Sequence, residues 1–178
     1  MTESFTRQAQ EMLAAAKDAR IPETVQAFAE DLPFADASFD LVACRAAVHH
    51  FADVEAGVRE MARVAADRVL VVDNLFMGVA AEEAEVLRDP SHVRAMPLTE
   101  LTALFRDTGF PAPRRTSYRL ESELEELLGR SFPKPGDADR IREIFAASLE
   151  DDRLGIPLQK DGDRIRYAYP VAVLAADR

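Results

Sequence analysis

Apolar positions along the chain change their period several times, and each change predicts an element. Phe5, Met12, Leu13 and Ala16 recur at helical spacing, so a helix is expected from Ser4 to about Arg20. Ile21-Pro22 ends it, because the residue before proline is pushed out of the helical region. Residues 24–29 and 39–44 are β-rich and read as strands. Asp53 can cap a helix from Val54 to about Ala65, and the apolar run 68–73 suits a strand buried on both faces of a parallel sheet. Further helices are expected from Ala80 to about Leu87, from a Thr99 cap to Thr108 with Gly109 beyond it, and from an Asp137 cap to about Glu150. Ser122 and Glu125 read as a capping box ahead of Leu127-Leu128. The chain closes on a hairpin signal, residues 156–160 and 164–174 around the turn Asp161-Gly162. Strand and helix alternate before that hairpin, which predicts an α/β fold, mostly parallel with an antiparallel edge.

Length narrows this to a single domain over 1–178: a sheet core over 1–75, a helical lid and substrate region over 76–155, and the hairpin over 156–178. The net charge of -10 argues against a nucleic-acid partner, and no apolar run is long enough for a membrane span. A single cysteine, Cys44, rules out an internal disulfide and a cysteine-based metal cluster. With no secretory signal at the start, a cytoplasmic setting and a small-molecule substrate are expected. The first of the seven glycines is Gly57, and none follows another within six residues, so no glycine-rich phosphate or dinucleotide loop is written in the chain.

One stretch is specific. Residues 29–42, Ala-Glu-Asp-Leu-Pro-Phe-Ala-Asp-Ala-Ser-Phe-Asp-Leu-Val, are followed by Cys44-Arg45-Ala46-Ala47-Val48-His49-His50-Phe51, Arg59-Glu60-Met61-Ala62-Arg63-Val64 and Val69-Leu70-Val71-Val72-Asp73-Asn74. In this order they resemble a class I S-adenosylmethionine-dependent methyltransferase of the small-molecule, type-11 group. Residues 87–94 resemble one subset of that group. The resemblance implies a Rossmann-like methyltransferase sheet. It also implies a glycine-rich loop at the methionine end of the cofactor and an acid for the ribose, neither of which is found ahead of Met12. A trimmed sheet is therefore expected, lacking a strand–helix–strand unit of about 30 residues. The family's acid for the adenine amine falls on Phe28, which cannot accept a hydrogen bond. Each polar ligand group left without a partner costs about 1–3 kcal/mol. Glu30, Asp31, Leu32 and Phe28 are thus expected to be vestigial, with no cofactor bound and S-adenosylmethionine as the alternative.

The candidate chemistry lies at the carboxyl ends of the strands, where open α/β sheets bind ligands. His49 and His50 follow one strand there; each reads as a general acid/base or as scaffold. His92 lies in the expected lid as a further acid/base, and Arg45 is placed to pair with Asp31 or Asp73 or to bind substrate. Asp73, Asn74, Arg88 and Ser91 are the expected substrate contacts, although Asp73 could simply cap a loop. No third metal ligand accompanies the histidine pair. A cofactor-independent isomerisation, cyclisation or elimination is the first expectation. Methyl transfer with a donor site completed by a partner chain, or a non-catalytic subunit, are the alternatives. The trimmed sheet should pair the 24–29 strand with the 39–44 strand and leave apolar surface that favours a homodimer.

Overall fold

The computed structural model describes residues 23–178 together with Ala14. The helix expected over residues 4–20 lies outside the described residues, Ala14 apart. The elements in order are β1 (Phe39–Arg45), a 3-10 turn (Val48–His50), α1 (Val54–Val64), β2 (Ala65–Asn74), α2 (Val79–Arg88) and α3 (Leu98–Ala103). Then follow β3 (Arg114–Glu123), α4 (Leu124–Gly129), α5 (Asp137–Asp151), β4 (Leu158–Asp161) and β5 (Arg164–Asp177). The five strands make one α/β sheet in the order β1-β2-β5-β3, with β4 also on β5.

Only β1 and β2 run parallel; β2, β3 and β4 all pair antiparallel with β5. The sheet is thus mixed rather than mostly parallel. The cause is the long β5, which carries β2 on residues 171–177 and β4 on residues 164–167 along one side, and β3 along the other. The terminal hairpin therefore ends in the middle of the sheet, not at its edge. β3 gave no sequence signal because its residues are almost all exposed and polar. Residues 24–29 form no strand; a single bridge links Phe28 and Asp31, and β1 has no partner on its outer side among the described residues.

Alternation along β2 and β5 divides the interior in two. Val69, Val71, Ala172 and Leu174 face one core with Met61 of α1 and Leu101 of α3. Tyr167, Tyr169 and Val171 face the opposite core, with residues of α2, α4 and α5. Each fully buried Leu or Val contributes roughly 1.5–3 kcal/mol. Near β1 the second face is uncovered: Leu41 is 51% exposed and Arg45 ends the strand in solvent.

Asp53 caps α1 as expected, its carboxylate accepting from Ala56 N at 2.9 Å. Gly57 in that helix makes room for the Phe51 ring, since a Cβ there would lie 2.5 Å from Phe51 Cδ2. Other caps differ from expectation. Glu123, not Ser122, caps α4, because its longer carboxylate reaches both Glu125 N and Glu126 N. α5 starts from left-handed Gly136, with Asp137 already inside, and α3 starts after Pro97 rather than at Thr99. No helix among the described residues is long and apolar enough to cross a membrane.

Candidate active site

β2 places Asp73 by simple alternation. Val69 and Val71 point into the first core, and Asp73 continues that face at the strand's carboxyl end. The carboxylate is 2% exposed and fully engaged. Asp73 Oδ1 accepts from Asn74 N at 2.7 Å and meets His49 Nδ1 at 2.5 Å, while Oδ2 accepts from His49 N at 3.1 Å. The short 3-10 turn after β1 delivers His49, itself 6% exposed. Because a carboxylate only accepts, the hydrogen belongs on His49 Nδ1, which leaves Nε2 on the far side of the ring as the acceptor.

The segment after α2 packs against this pair. Val93 N and Arg94 N both donate to the carbonyl of His49, at 2.9 and 3.0 Å. His92 is brought against the pair, its ring centroid 5.3 Å from His49 and 6.1 Å from His50, and the His49 and His50 rings lie 4.1 Å apart. All three histidines of the chain therefore form one cluster.

Each imidazole has its own carboxylate. His92 Nε2 donates to Glu82 Oε1 at 2.8 Å, and the same oxygen accepts from Ala95 N at 3.0 Å. His50 Nδ1 lies 3.0 Å from Ser91 Oγ, which donates to Asp89 Oδ1 at 2.7 Å. Ser91 has one hydroxyl hydrogen, so His50 Nδ1–H is the donor in its contact. Burial and the neighbouring His49 push the His50 imidazole below its ordinary value and keep it neutral. Burial raises the Asp89 carboxyl, but the hydroxyl and backbone N–H of Ser91 outweigh it and hold Asp89 low.

A second buried network backs α2. Tyr169 OH donates to Glu85 Oε1 at 2.7 Å, and Arg88 Nη2 donates to Glu85 Oε2 at 2.5 Å. Burial opposes the Glu85 charge, yet Arg88 prevails and keeps the carboxyl below its usual value. Burial and then Glu85 drive the Tyr169 phenol well up.

The structure thus brings together His49, His50, His92, Asp73 and Ser91 among the residues expected from sequence. It does not bring Arg45, which is exposed while Asp73 is taken by His49. Arg88 is not free to hold substrate, because it neutralises buried Glu85. Ser91 serves His50 rather than a ligand, and Asn74 takes part through its backbone N–H. Cys44 faces the same core, and burial, with Asp73 behind it, pushes its thiol to about 12, so it stays an unreactive thiol. Sequence reasoning missed Glu82, Glu85 and Asp89. Glu82 is 23% exposed and Glu85 is buried, and the side chains they bind come from the loop after α2, from Arg88 and from β5.

The turn ahead of β1 is held by α1. Leu32 N donates to Glu60 Oε2 at 3.0 Å, and Arg63 donates to the carbonyls of Leu32 and Phe34. Glu30 Oε1 accepts from Asp53 N at 3.0 Å. Asp31 stays exposed.

A methyltransferase domain model matches residues 6–72. The uncharacterized methyltransferase YcgJ of Bacillus subtilis strain 168 is 46% identical over 161 residues, covering 84% of this chain and 62% of its own length. The uncharacterized protein YafE of Escherichia coli K12 is 32% identical over 146 residues, 78% of this chain and 70% of YafE. The chain belongs to the methyltransferase domain family. The crystal structure of B. subtilis YcgJ superposes with a TM-score of 0.78 at 28% identity, covering 93% of this chain and 75% of that one. The chain spans less than two thirds of the YcgJ sequence.

Membership of this methyltransferase family implies S-adenosylmethionine as donor. At the 28–32 turn Phe28, 55% exposed, offers apolar surface and no side-chain acceptor for an adenine amine, while Glu30 and the Leu32 N–H are already used within the protein. The expectation that no cofactor is bound has no support in the family relationship.

Proposed function

We propose that this chain is the acceptor-binding part of an S-adenosylmethionine-dependent methyltransferase of small molecules, with His49 as the base that takes the acceptor's proton. The observation that carries the reading is the buried contact of 2.5 Å between His49 Nδ1 and Asp73 Oδ1, at the carboxyl edge of the sheet. Asp73 cannot turn away, because two backbone N–H groups also hold it. It therefore fixes the Nδ1–H tautomer, aims Nε2 away from itself, and stabilises the imidazolium as the proton arrives. The proton passes from an acceptor O–H or N–H to His49 Nε2 and then to solvent. His50, held neutral beside it, adds no positive charge that would weaken that base. S-Adenosylmethionine supplies an electrophilic methyl group when bound. Its ribose and amino-acid ends require partners beyond the 28–32 turn.

The test is methyl transfer from radiolabelled S-adenosylmethionine across a panel of phenols, alcohols and amines. The wild type should label at least one acceptor, and His49→Gln should lower the rate by about 10²–10⁴-fold. Full turnover by His49→Gln refutes the assignment. One observation favours a second reading, in which the same base runs an isomerisation, cyclisation or elimination without a methyl donor: Phe28 stands where the family carries an acid for the adenine amine. A saturable rise of several degrees in melting temperature with S-adenosylhomocysteine supports methyl transfer; no rise supports the second reading.

A further inference from the structure

His92 Nδ1 is buried and has no hydrogen-bond partner, and it is the side-chain nitrogen or oxygen of which this is true among the described residues. Buried polar atoms are seldom left so, and an orphan beside two further imidazoles points to something that binds there. Which kind of group it needs follows from its other nitrogen. Glu82 accepts from Nε2, so Nε2 carries the hydrogen and Nδ1 of the neutral ring is a lone pair. The same accounting applies to the neighbours. Asp73 takes the Nδ1 hydrogen of His49, and Ser91, already donating to Asp89, takes that of His50. Both rings are left with Nε2 as an acceptor. Three lone pairs thus remain on rings whose centroids lie 4.1 to 6.1 Å apart.

We propose that the histidine cluster is a site of hydrogen-bond acceptors that selects ligands bearing two or more hydroxyl hydrogens on neighbouring carbons. The proposal rests on the reading of this cluster as the acceptor site and names the class of acceptor. One hydroxyl donates to His92 Nδ1, and a neighbouring one donates to His49 Nε2, the base. Hydroxyls on adjacent carbons suit acceptors on two rings whose centroids lie 5.3 Å apart. Ethers and carboxylates present lone pairs to lone pairs and are rejected, because two acceptors facing each other leave both unsatisfied. The carboxylates of Asp73, Glu82 and Asp89 behind the rings add a field that repels anions. Glu82, Ser91 and Asp89 are in this view positioning residues, since each sets a tautomer without touching the ligand. Three imidazoles backed by carboxylates could also suggest a metal, but no group of three ligating side chains among the described residues is placed to hold one.

The experiment is calorimetric titration of the chain with catechol, 1,2-dimethoxybenzene, benzoate and Zn²⁺, alongside S-adenosylhomocysteine. Catechol should bind saturably, with the dimethyl ether at least tenfold weaker and benzoate weaker still. His92→Phe keeps the ring volume and removes the acceptor; it should weaken catechol about tenfold and leave S-adenosylhomocysteine unchanged. His92→Asn, which restores an acceptor near the Nδ1 position, should recover part of the loss. Equal binding of catechol and its ether, preference for benzoate, or no binding of any probe overturns the proposal. So does stoichiometric Zn²⁺ binding that His92→Phe abolishes and catechol does not displace. The wild-type comparison of catechol with its ether needs no variant to fold. Diol selectivity without methyl transfer counts against the proposed reaction alone; methyl transfer without diol selectivity counts against this inference alone.

Discussion

Replacing Asp73 by Asn removes one charge and keeps the shape, so its effects separate the electrostatics of the dyad from its packing. Asp73 uses two oxygens for three donors: His49 Nδ1 and Asn74 N on Oδ1, and His49 N on Oδ2. Asparagine has one oxygen. With its oxygen in the first position, its NH₂ opposes His49 N–H; with the oxygen in the second, the NH₂ opposes Asn74 N–H. Either choice orphans a buried backbone donor, at about 1–3 kcal/mol. For a domain of this length that lowers the melting temperature by roughly 2–12 °C. In the second orientation the amide also donates to His49 Nδ1, which drives the hydrogen to Nε2 and withdraws the base. Turnover should then fall by about 10²–10⁴-fold. The tautomer can be read without any substrate. The chain has three histidines, so a long-range proton–nitrogen NMR spectrum should resolve them. In the wild type His49 and His50 should carry hydrogen on Nδ1 and His92 on Nε2; in Asp73→Asn only His49 should change. A wild-type His49 that carries its hydrogen on Nε2 refutes the claim that Asp73 sets the tautomer.

Gly155 stands at φ 65°, and a Cβ there would lie 2.5 Å from the carbonyl oxygen of Met77. Gly155→Ala should cost about 1–3 kcal/mol and displace the Met77-Gly78 entry to α2; an unchanged melting temperature contradicts this. Stability should also decline on acidification. His50 titrates below its ordinary 6.5 in the folded chain, so its contribution is present above that pH and is lost as pH falls toward the folded value. Melting curves from pH 7 to pH 5 should show the decline, and His50→Gln should flatten it; equal slopes in both proteins oppose the assignment.

The strands and helices that pack on the first core were legible because their apolar positions repeat with one period. β1, α1 and β2 appear where alternation, the Asp53 cap and the run from Val69 to Val72 put them. β3 was not legible, since its ten residues are nearly all exposed and its place is fixed by backbone bonds to β5. Residues 24–29 have strand-like composition, but α1 claims the turn that follows: Glu60 and Arg63 bind the backbone at Leu32 and Phe34, and Glu30 caps Asp53 N. The histidines could be located from sequence by their position after β1 and in the lid. Their partners could not. Asp89 stands 39 residues from His50 in the chain and reaches it only through Ser91, and Glu82 stands ten residues before His92, with nothing local to distinguish either from the solvated acids around them.

α2 explains why the cluster holds its shape. Glu82 and Glu85 are one helical turn apart and bind in two directions. Glu82 holds His92 and Ala95 N of the loop after α2, while Glu85 is locked to Tyr169 of β5 and to Arg88. Tyr169 belongs to the second core, and the Asp73–His49 pair stands on the first. α2 therefore ties the tautomer of His92 to the packing of the opposite face of the sheet. A buried Glu–Arg pair is weak evidence of stability in itself, since desolvation consumes most of its Coulombic gain. Its geometric effect is clearer: with Arg88 and Tyr169 gripping Glu85, α2 cannot rotate without uncovering a buried charge, and Glu82 stays aimed at His92. The three imidazoles are held from β2, from α2 and from the loop that follows α2, so the spacing of the acceptor site is set by the junction of the two cores and not by any single element.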